Sequence, residues 1–339
     1  MDAELLGLFS LLFMFILMMS GVPIAFALGF SALLAGLLAY GGGVLPKLGM
    51  GPFRFMYNPS WTPLPLFVLL GTIMAETKIG DDLFNATSKW FSRVPGGLVA
   101  ASIVGEGAMA AVIGTSAATI LVVGKSAVPA FEKHGYNRKM GIGALLAGGV
   151  LGPLIPPSAT MIIYGVLAQL SIGQLFIAGI MPGLLLIAML VIPTILWCWW
   201  KPAYGPRGQG YSWGVRFGSL RNVWPVAVVI LAILGSIYFG IATPTESAGV
   251  GVVIMLIIAI AFYGLRWKSL LNCLVEATLV NAMIMFICLG AYLFTYMIGS
   301  ANIAARLNDL FVATGVSPLV LVIAINIIIL ILGCLIDPI

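Results

Sequence analysis

The sequence predicts an all-α polytopic membrane protein, and three observations lead to that fold class. Of the 339 residues, 61% are hydrophobic and only 8% are charged, against roughly a quarter charged in an average soluble domain. Residues within the apolar runs do not alternate between apolar and polar, as the strands of a membrane barrel would require. Runs that approach the roughly 20 helical residues needed to cross a bilayer recur along the chain, at 5–20, 23–40, 63–76, 140–168, 172–200, 223–242, 245–264, 270–298 and 318–336.

The first run is predicted to be a permanent membrane helix. Asp2 and Glu4 precede it, whereas a cleaved signal peptide begins with basic residues. The four cysteines show no CxxC or Cys/His metal spacing, and no cofactor is predicted. Basic residues do not cluster with aromatic residues in a polar segment, so the net charge of +5 does not indicate a nucleic-acid partner. It indicates basic cytoplasmic loops of a protein that lies in a lipid bilayer.

An internal repeat is indicated when the chain is laid on itself with a shift of 219 residues. In that register, glycines coincide at three places: Gly71 with Gly290, Gly80 with Gly299, and Gly114 with Gly333. The first repeat is predicted over 1–220, with scaffold helices 1–76, an arm helix 77–96, a re-entrant hairpin 97–129, a broken helix 140–168, a span 172–200 and a cytoplasmic loop 201–221. The second is predicted over 222–339, with scaffold helices 223–298, an arm 300–315 and the start of a second hairpin at 317–339.

The distribution of basic residues predicts the topology. Short cytoplasmic loops collect Lys and Arg, and placing 77–97, 125–139, 201–221 and 266–268 inside puts 13 of 16 basic residues there. Both ends of 97–129 are then inside, so this segment is predicted to be re-entrant. Counting crossings places the N-terminus outside and inverts the second repeat. Inverted repeats with broken helices are typical of secondary transporters. Because the second repeat is incomplete, we expect the sequence to be truncated at its C-terminus.

The stretch GGVLGPLIPPSATMIIYG at 148–165 predicts an interrupted helix. Pro153, Pro156 and Pro157 remove three backbone donors, so carbonyls one turn earlier lose their partners. Free carbonyls at membrane depth are suitable ligands for sodium. A simple proline kink without a binding role is the alternative.

The hairpin tip is predicted at GTSAAT, 114–119. Irregular backbone at membrane depth persists only where protein or a water-filled cavity satisfies it. Thr115, Ser116 and Thr119 offer hydroxyl ligands, and a helix starting after the tip points its amides at a bound carboxylate. Packing of small residues between helices is the alternative.

Two acidic residues in apolar surroundings receive separate interpretations. Thr243-Pro244-Thr245-Glu246 fits a capping box, with Thr243 as N-cap and Glu246 reaching back; an ion-binding role for Glu246 is the alternative. Glu106 lies in the first arm of the hairpin, where an uncompensated carboxylate is costly. It is predicted either to pair with a buried basic residue or to lie near a wet face of the hairpin.

Five segments together resemble a known family. They are SGVPIAFALG at 20–29, PLFVLLG at 65–71, GTSAAT at 114–119, the block from 133 to 183, and ATPTESAGVG at 242–251. In this order they are similar to the large permease subunit, of the dicarboxylate-permease (DctM) type, of tripartite ATP-independent periplasmic (TRAP) transporters.

The resemblance implies an elevator-type secondary transporter in a bacterial or archaeal inner membrane. It would be driven by a sodium gradient and would take up an organic acid of the C4-dicarboxylate, sialic acid or keto acid class. The implied partners are a small four-helix permease subunit and a periplasmic binding protein that delivers the substrate.

The resemblance and the repeat together imply the residues of the site. Those expected to bind sodium are Gly114, Thr115, Ser116, Gly149, Gly152 and Pro156, with Gly333 and Asp337 in the second half-site. Those expected to meet the substrate are Thr119, Pro157 and Ser158.

Three other functions are alternatives to this one. A cation-coupled anion symporter of the same architecture that needs no binding protein fits the repeats equally well, and a channel is the third transport hypothesis. An intramembrane serine protease is disfavoured because a serine nucleophile needs a nearby base, and the sole histidine, His134, falls in a basic loop.

Overall fold

The computed structural model describes residues 3–300 and 317–335, and within these ranges the chain forms helices and turns without a strand. The helices are, in chain order, α1 Ala3–Met19, α2 Ile24–Tyr40, α3 Leu45–Met56, α4 Pro63–Glu76, α5 Ile79–Phe91, α6 Gly97–Ile113, α7 Ser116–Lys133, α8 Arg138–Gly148, α9 Leu151–Leu154, α10 Ala159–Leu167, α11 Ile172–Trp200, α12 Trp213–Leu220, α13 Trp224–Tyr238, α14 Pro244–Tyr263, α15 Trp267–Ser300 and α16 Pro318–Leu335. The predicted arm at 300–315 lies outside the described residues except for its first position.

The described helices confirm the predicted all-α polytopic membrane architecture. Among the described residues, four stretches are long and apolar enough to cross a membrane: Ile24–Val44, Ile172–Trp200, Pro244–Tyr263 and Trp267–Gly299. Three bent helix pairs bring the possible number of spans to seven, and the bends are 72° between α4 and α5, 42° before α10 and 53° between α12 and α13. The predicted runs 5–20 and 318–336 contain shorter apolar helices, Leu6–Met19 and Leu319–Ile331.

The chain divides into two compact units, Met1–Pro59 with Ala282–Ile339, and Ser60–Asn281. In the first unit, α1 packs along α2, and a core forms around Met14, Ala27 and Met297. A Cβ on Gly290 would lie 2.5 Å from the carbonyl oxygen of Ala25. Glycine at 290 therefore allows α15 to approach α2 closely.

Helix α6 lies at the centre of the second unit. It packs against α4, α5, α7, α8, α9, α11 and α13, and 14 of its 17 residues are buried. Its sequence, GLVAASIVGEGAMAAVI, is rich in Gly and Ala, which permit such close packing on every side. A helix whose surroundings are protein can carry an irregular end at membrane depth.

Helix α5 packs against both arms of the hairpin, α6 and α7, and helps to hold them in place. Asp81 and Asp82 lie in its first turn and Lys89 in its last, as the helix dipole favours. Asp81 accepts a hydrogen bond from Ser126 of α7, and Asp82 accepts one from the Tyr263 hydroxyl of α14 at 3.1 Å. Helix α5 is thereby tied to both neighbours.

The open end of the hairpin is fastened to the segment 204–208, which follows α11. Gly96 N–H donates to the carbonyl of Gly205 at 3.0 Å, and Asn137 N–H donates to that of Tyr204 at 2.9 Å. The Tyr136 hydroxyl donates to the Pro206 carbonyl at 2.8 Å and accepts from Leu98 N–H at 3.3 Å. The start of α6 and the residues after α7 therefore lie side by side, as a hairpin requires.

Two helices were not predicted from the sequence. Helix α3 carries two prolines and two glycines in its 12 residues, a composition typical of loops. Helix α12 lies within the predicted loop 201–221 and packs on α5, where the Trp90 indole N–H donates to the Arg216 carbonyl at 3.2 Å. Its stability comes from these tertiary contacts, which the local sequence does not reveal.

Candidate functional site

The first half of the candidate site is the hairpin tip, where the chain reverses between α6 and α7. Gly114 closes α6 with φ +71°, in the left-handed region, and its N–H donates to the Ala110 carbonyl. Thr115 is extended, with φ −132° and ψ 145°, and α7 begins at Ser116. Only glycine adopts the Gly114 conformation without strain. The two residues at 114 and 115 therefore make the turn.

The second half is the interruption between α8 and α10. Helix α8 ends at Gly148, a single turn follows as α9, and residues 155–158 are not helical before α10 begins at Ala159. The peptide bond between Pro156 and Pro157 is cis. Pro156 has no N–H to offer the Gly152 carbonyl, so the helix ends where the prolines predict.

The two breaks lie directly against each other. Ala159 N–H donates to the Gly114 carbonyl at 3.3 Å. A Cβ on Gly114 would lie 2.8 Å from the Pro157 carbonyl oxygen, and one on Gly152 would lie 2.6 Å from the carbonyl carbon of Thr115. Real Cβ atoms do not approach that closely. Glycine at both positions is therefore required for the tip to contact the interrupted helix.

Four helix ends converge on this contact. Helices α6 and α9 end here, at Ile113 and Leu154, while α7 and α10 begin here, at Ser116 and Ala159. A helix start carries about half a positive charge and a helix end about half a negative charge. Carbonyl oxygens at the two ends suit a cation, and amides at the two starts suit an anion. One small region thus offers both kinds of ligand.

Two of the hydroxyls predicted to lie in the site donate hydrogen bonds to nearby backbone carbonyls. Ser158 donates to the Pro153 carbonyl at 2.7 Å, which the missing N–H of Pro157 leaves without its helical partner. Thr119 donates to the Thr115 carbonyl at 2.7 Å. Both side chains are fully buried, and each oxygen retains an acceptor site. The side chains of Thr115 and Ser158 do not form capping hydrogen bonds to the helices that follow them.

Thr160 is a candidate residue that sequence reasoning missed. Its hydroxyl lies in the first turn of α10, is buried, and has no hydrogen-bond partner within the described part of the chain. A buried unpaired hydroxyl costs free energy of about 1–3 kcal/mol. A weak signal for Thr160 exists in the sequence, since it lies within the stretch 148–165 that is predicted to be interrupted.

The predicted second half-site is described only at its start. Gly333 lies within α16, in the first compact unit. Asp337 lies outside the described residues. Its predicted role, and that of Gly333, stays a prediction.

Glu246 forms the predicted capping box at the start of α14. Its N–H donates to the Thr243 hydroxyl oxygen at 3.3 Å, and its carboxylate accepts from the Thr243 N–H at 2.8 Å. The reciprocal bonds satisfy two backbone N–H groups at the helix start, which confirms the predicted capping box.

Among the described residues, Glu106 pairs with no basic residue. It is fully buried, and neither carboxyl oxygen has a hydrogen-bond partner in the described structure. Its side chain lies over Gly148, where a Cβ would collide with Oε2. Of the two expectations from the sequence, pairing with a buried basic residue is therefore wrong for the described structure.

The donor set at the two breaks fits a hard cation. Carbonyl and hydroxyl oxygens are the ligands that such cations prefer, and both occur at the tip and at the interrupted helix. Within residues 3–300 and 317–335, no group of three His, Cys, Asp or Glu residues is placed to hold a metal ion. Gly114, Thr115 and Ser116 from the tip, and Gly149, Gly152 and Pro156 from the break, are the residues predicted to supply these oxygens.

Comparison with known proteins gives one family. The family model described as "Tripartite ATP-independent periplasmic transporter, DctM component" matches residues 11–339. The chain is 33% identical to the C4-dicarboxylate TRAP transporter large permease protein DctM of Pseudomonas aeruginosa, over 81% of this chain and 64% of that protein.

Two further relatives show similar identity over nearly the whole chain. The DctM protein of Vibrio cholerae is 30% identical over 97% of this chain and 77% of its own length. The sialic acid TRAP transporter permease protein SiaT of Haemophilus influenzae is 30% identical over 97% of this chain and 53% of its own length. The chain thus spans between about half and three quarters of the length of these relatives.

Proposed function

The chain belongs to the DctM component family of tripartite ATP-independent periplasmic transporters, which are transporter permeases and not enzymes, and from that premise we propose that it is a large permease subunit for sodium-driven uptake of a small organic acid. It is a multi-pass membrane protein. The proposed location is the cytoplasmic membrane of a bacterium or archaeon, with the N-terminus outside.

The contact between the hairpin tip and the interrupted helix carries this proposal. The Gly114 carbonyl and the Ala159 N–H are joined across it at 3.3 Å, and four helix ends meet there. Secondary transporters bind ions at unwound carbonyls and anionic groups at helix starts of discontinuous helices. This arrangement supports binding of a cation and an organic anion in one place.

The proposed sodium site uses the carbonyl and hydroxyl oxygens of the two breaks. The tip contributes Gly114, Thr115 and Ser116, and the interrupted helix contributes Gly149, Gly152 and Pro156. The carbonyl ends of α6 and α9 favour a positive charge between them. Sodium would neutralise these dipoles and draw the tip toward the break.

The proposed substrate is an anion because α7 and α10 both begin at the site. Thr119, Pro157 and Ser158 lie at these helix starts and are the proposed contacts, together with the unpaired hydroxyl of Thr160. The relatives are named for C4-dicarboxylates and sialic acid, which both carry carboxylates. The proposed substrate class is therefore small organic acids of these kinds, with keto acids included.

The proposed transport complex contains a small four-helix membrane subunit and a periplasmic binding protein. The binding protein would deliver the organic acid, and the site would cross the membrane by an elevator movement. These partners and this movement are proposed from membership of the family.

Uptake by the assembled permease in proteoliposomes tests the function. The permease and its small subunit would be reconstituted, with a labelled C4-dicarboxylate, sialic acid or keto acid outside and its binding protein added. We expect saturable accumulation under an inward sodium gradient, and none when potassium replaces sodium or when the binding protein is omitted.

Two results would overturn parts of this proposal. Equal uptake without the binding protein would favour an independent cation-coupled symporter of the same architecture. Uptake that neither saturates nor exceeds the outside concentration would indicate a channel.

A further inference from the structure

Glu106 is a buried carboxyl group without a neutralising partner. It lies near the middle of α6, with 0% of its surface exposed, and both of its oxygens lack a hydrogen-bond partner among the described residues. A carboxylate in such surroundings loses its hydration without compensation, at a cost of several kcal/mol. The group must therefore be neutral or hold a cation.

The elements packed against α6 bring charged and titratable side chains, but none neutralises Glu106. These side chains are Glu76 of α4, Asp81, Asp82 and Lys89 of α5, Lys125, Glu132 and Lys133 of α7, Arg138 and Lys139 of α8, Cys198 of α11 and Tyr238 of α13. The one ion pair found in the described structure joins Arg138 to Glu132, at 3.9 Å. Among the described residues, no basic group is thus paired with Glu106 to stabilise a negative charge on it.

The position of the side chain adds a second reason for neutrality. Oε2 of Glu106 lies against Gly148, the last residue of α8. The end of a helix carries about half a negative charge from its free carbonyls. A carboxylate there would be repelled by these carbonyls, whereas a protonated carboxyl would not.

We propose that Glu106 is a proton-binding site: the carboxyl holds one proton while α6 is packed against the end of α8, and releases it to water when the two separate. The exchange forms the carboxylate and one hydrated proton, with no other bond changed. Glu106 is not itself one of the proposed sodium or substrate ligands. It precedes the tip by eight residues, or about 12 Å of helix, although Gly148, which it contacts, is next to the proposed ligand Gly149.

Infrared difference spectroscopy of the purified chain in lipid nanodiscs tests the site directly. At neutral pH we expect a protonated-carboxyl band in the unmodified chain that is missing in Glu106→Gln. The matched control is Glu132→Gln, because the native Glu132 side chain is 59% exposed and its carboxyl should not contribute to that band. Identical spectra for the unmodified chain and Glu106→Gln would overturn the proposal.

Replacement of sodium by choline separates the two possible cations. We expect the band to persist in both salts if the bound cation is a proton. A carboxyl that is ionised in sodium and protonated in choline would show that sodium occupies the position, and would refute a proton site.

Stability provides a second measurement that does not depend on transport. If the folded chain holds a proton that the unfolded chain has released, the unfolding equilibrium constant rises about tenfold per pH unit near neutrality. The Tm of the unmodified chain should then fall more steeply with rising pH than that of Glu106→Gln. Parallel pH profiles would contradict the proposal.

A role of this proton in transport rests on the proposed function. In reconstituted permease, uptake should decrease with rising pH in the unmodified chain and lose that dependence in Glu106→Gln. Absence of uptake in both would refute the proposed function and leave the infrared result standing. Equal pH dependence in both would refute the transport role of the proton.

Discussion

At the scale of single residues, Gly114 meets two requirements that no other residue meets together. Its φ of +71° lies in the left-handed region, and its missing side chain leaves room for the Pro157 carbonyl. The first requirement is local and the second is tertiary. They can be separated experimentally, because Gly135 has nearly the same φ, +69°, with nothing within 4 Å of a built Cβ.

Gly114→Ala is therefore expected to impair the site more than the fold alone explains. The left-handed conformation costs a non-glycine residue about 1–2 kcal/mol, and the clash with Pro157 adds to that cost. Thermal unfolding and uptake would be measured for Gly114→Ala and for the control Gly135→Ala. We expect a lower Tm in both and a loss of uptake in Gly114→Ala only. Equal uptake would show that the contact between tip and break is dispensable.

Thr160→Val tests whether the unpaired hydroxyl serves a ligand. Valine has nearly the shape of threonine, and no hydrogen bond of the described structure is lost, so we expect unchanged or higher stability. If the hydroxyl contacts substrate or sodium, the apparent affinity should fall about tenfold, the equivalent of 1.4 kcal/mol. Thr194→Val, which removes a bond to the Leu190 carbonyl within α11, is the control and should leave the affinity unchanged.

The sequence predicts the residues that shape the backbone better than those that act through neighbours. Gly114 and Pro156 impose their conformations locally, so the tip and the break could be placed from the residue types in the sequence. The states of Thr160 and Glu106 depend on side chains from other helices, which a single sequence does not bring together. For Glu106, only the packing of α6 shows that the side chain is fully buried and that no described basic residue pairs with it.

At the scale of elements, Tyr136 connects three parts of the chain at the open end of the hairpin. Its hydroxyl joins α6, through Leu98, to the segment 204–208, through Pro206. Burial raises the pKa of the Tyr136 phenol, while the hydrogen bond from Leu98 lowers it. The net direction is upward, so the hydroxyl stays protonated and remains a donor at physiological pH.

Tyr136→Phe removes the donor to Pro206 and the acceptor of the Leu98 N–H. The expected loss of stability is about 1–3 kcal/mol, because the two backbone groups lose a partner in a half-buried position. Tm and amide hydrogen exchange at 96–98 would be measured, with Tyr211→Phe, at an exposed tyrosine, as the control. Unchanged exchange at 96–98 would show that the other bonds to 204–208 hold the hairpin unaided.

Elements with strong apolar or proline signals were predicted, and those stabilised by packing were not. The predicted hairpin at 97–129 corresponds to α6 and α7, which break at Gly114. Helix α12 forms against α5, where Trp90 and Phe217 meet edge to face with centroids 5.5 Å apart. Its residues alone resemble a loop because two of the eight are glycine.

At the scale of the whole molecule, the segments predicted to share the cytoplasmic side lie near one another in the second compact unit. Hydrogen bonds join 92–98 and 136–137 to 204–208, and Tyr263, close to 266–268, reaches Asp82. This proximity supports a common side for all four segments. Their cytoplasmic location and the inverted repeat stay predictions, and 301–316 lie outside the described residues.

Cysteine labelling tests the predicted orientation. With the four native cysteines replaced, Gln209→Cys in the loop 201–221 and Ile241→Cys beyond α13 would be treated with a membrane-impermeant maleimide in intact cells. Both native side chains are exposed. We expect labelling of Ile241→Cys only, and labelling of Gln209→Cys only after the membrane is opened. The reverse pattern would place the N-terminus inside.

The hydrogen bonds to 204–208 fix the hairpin at its open end, so a small rotation about that end moves the distant tip by a much larger amount. Its arms contain 17 and 18 residues, so the tip lies about 25 Å from the bonds to 204–208. A rotation of about 5° at that base displaces a point at this distance by about 2 Å. Such a displacement is enough to separate the Gly114 carbonyl from the Ala159 N–H. A small tilt near the membrane surface could thus open or close the ligand oxygens deep inside the protein.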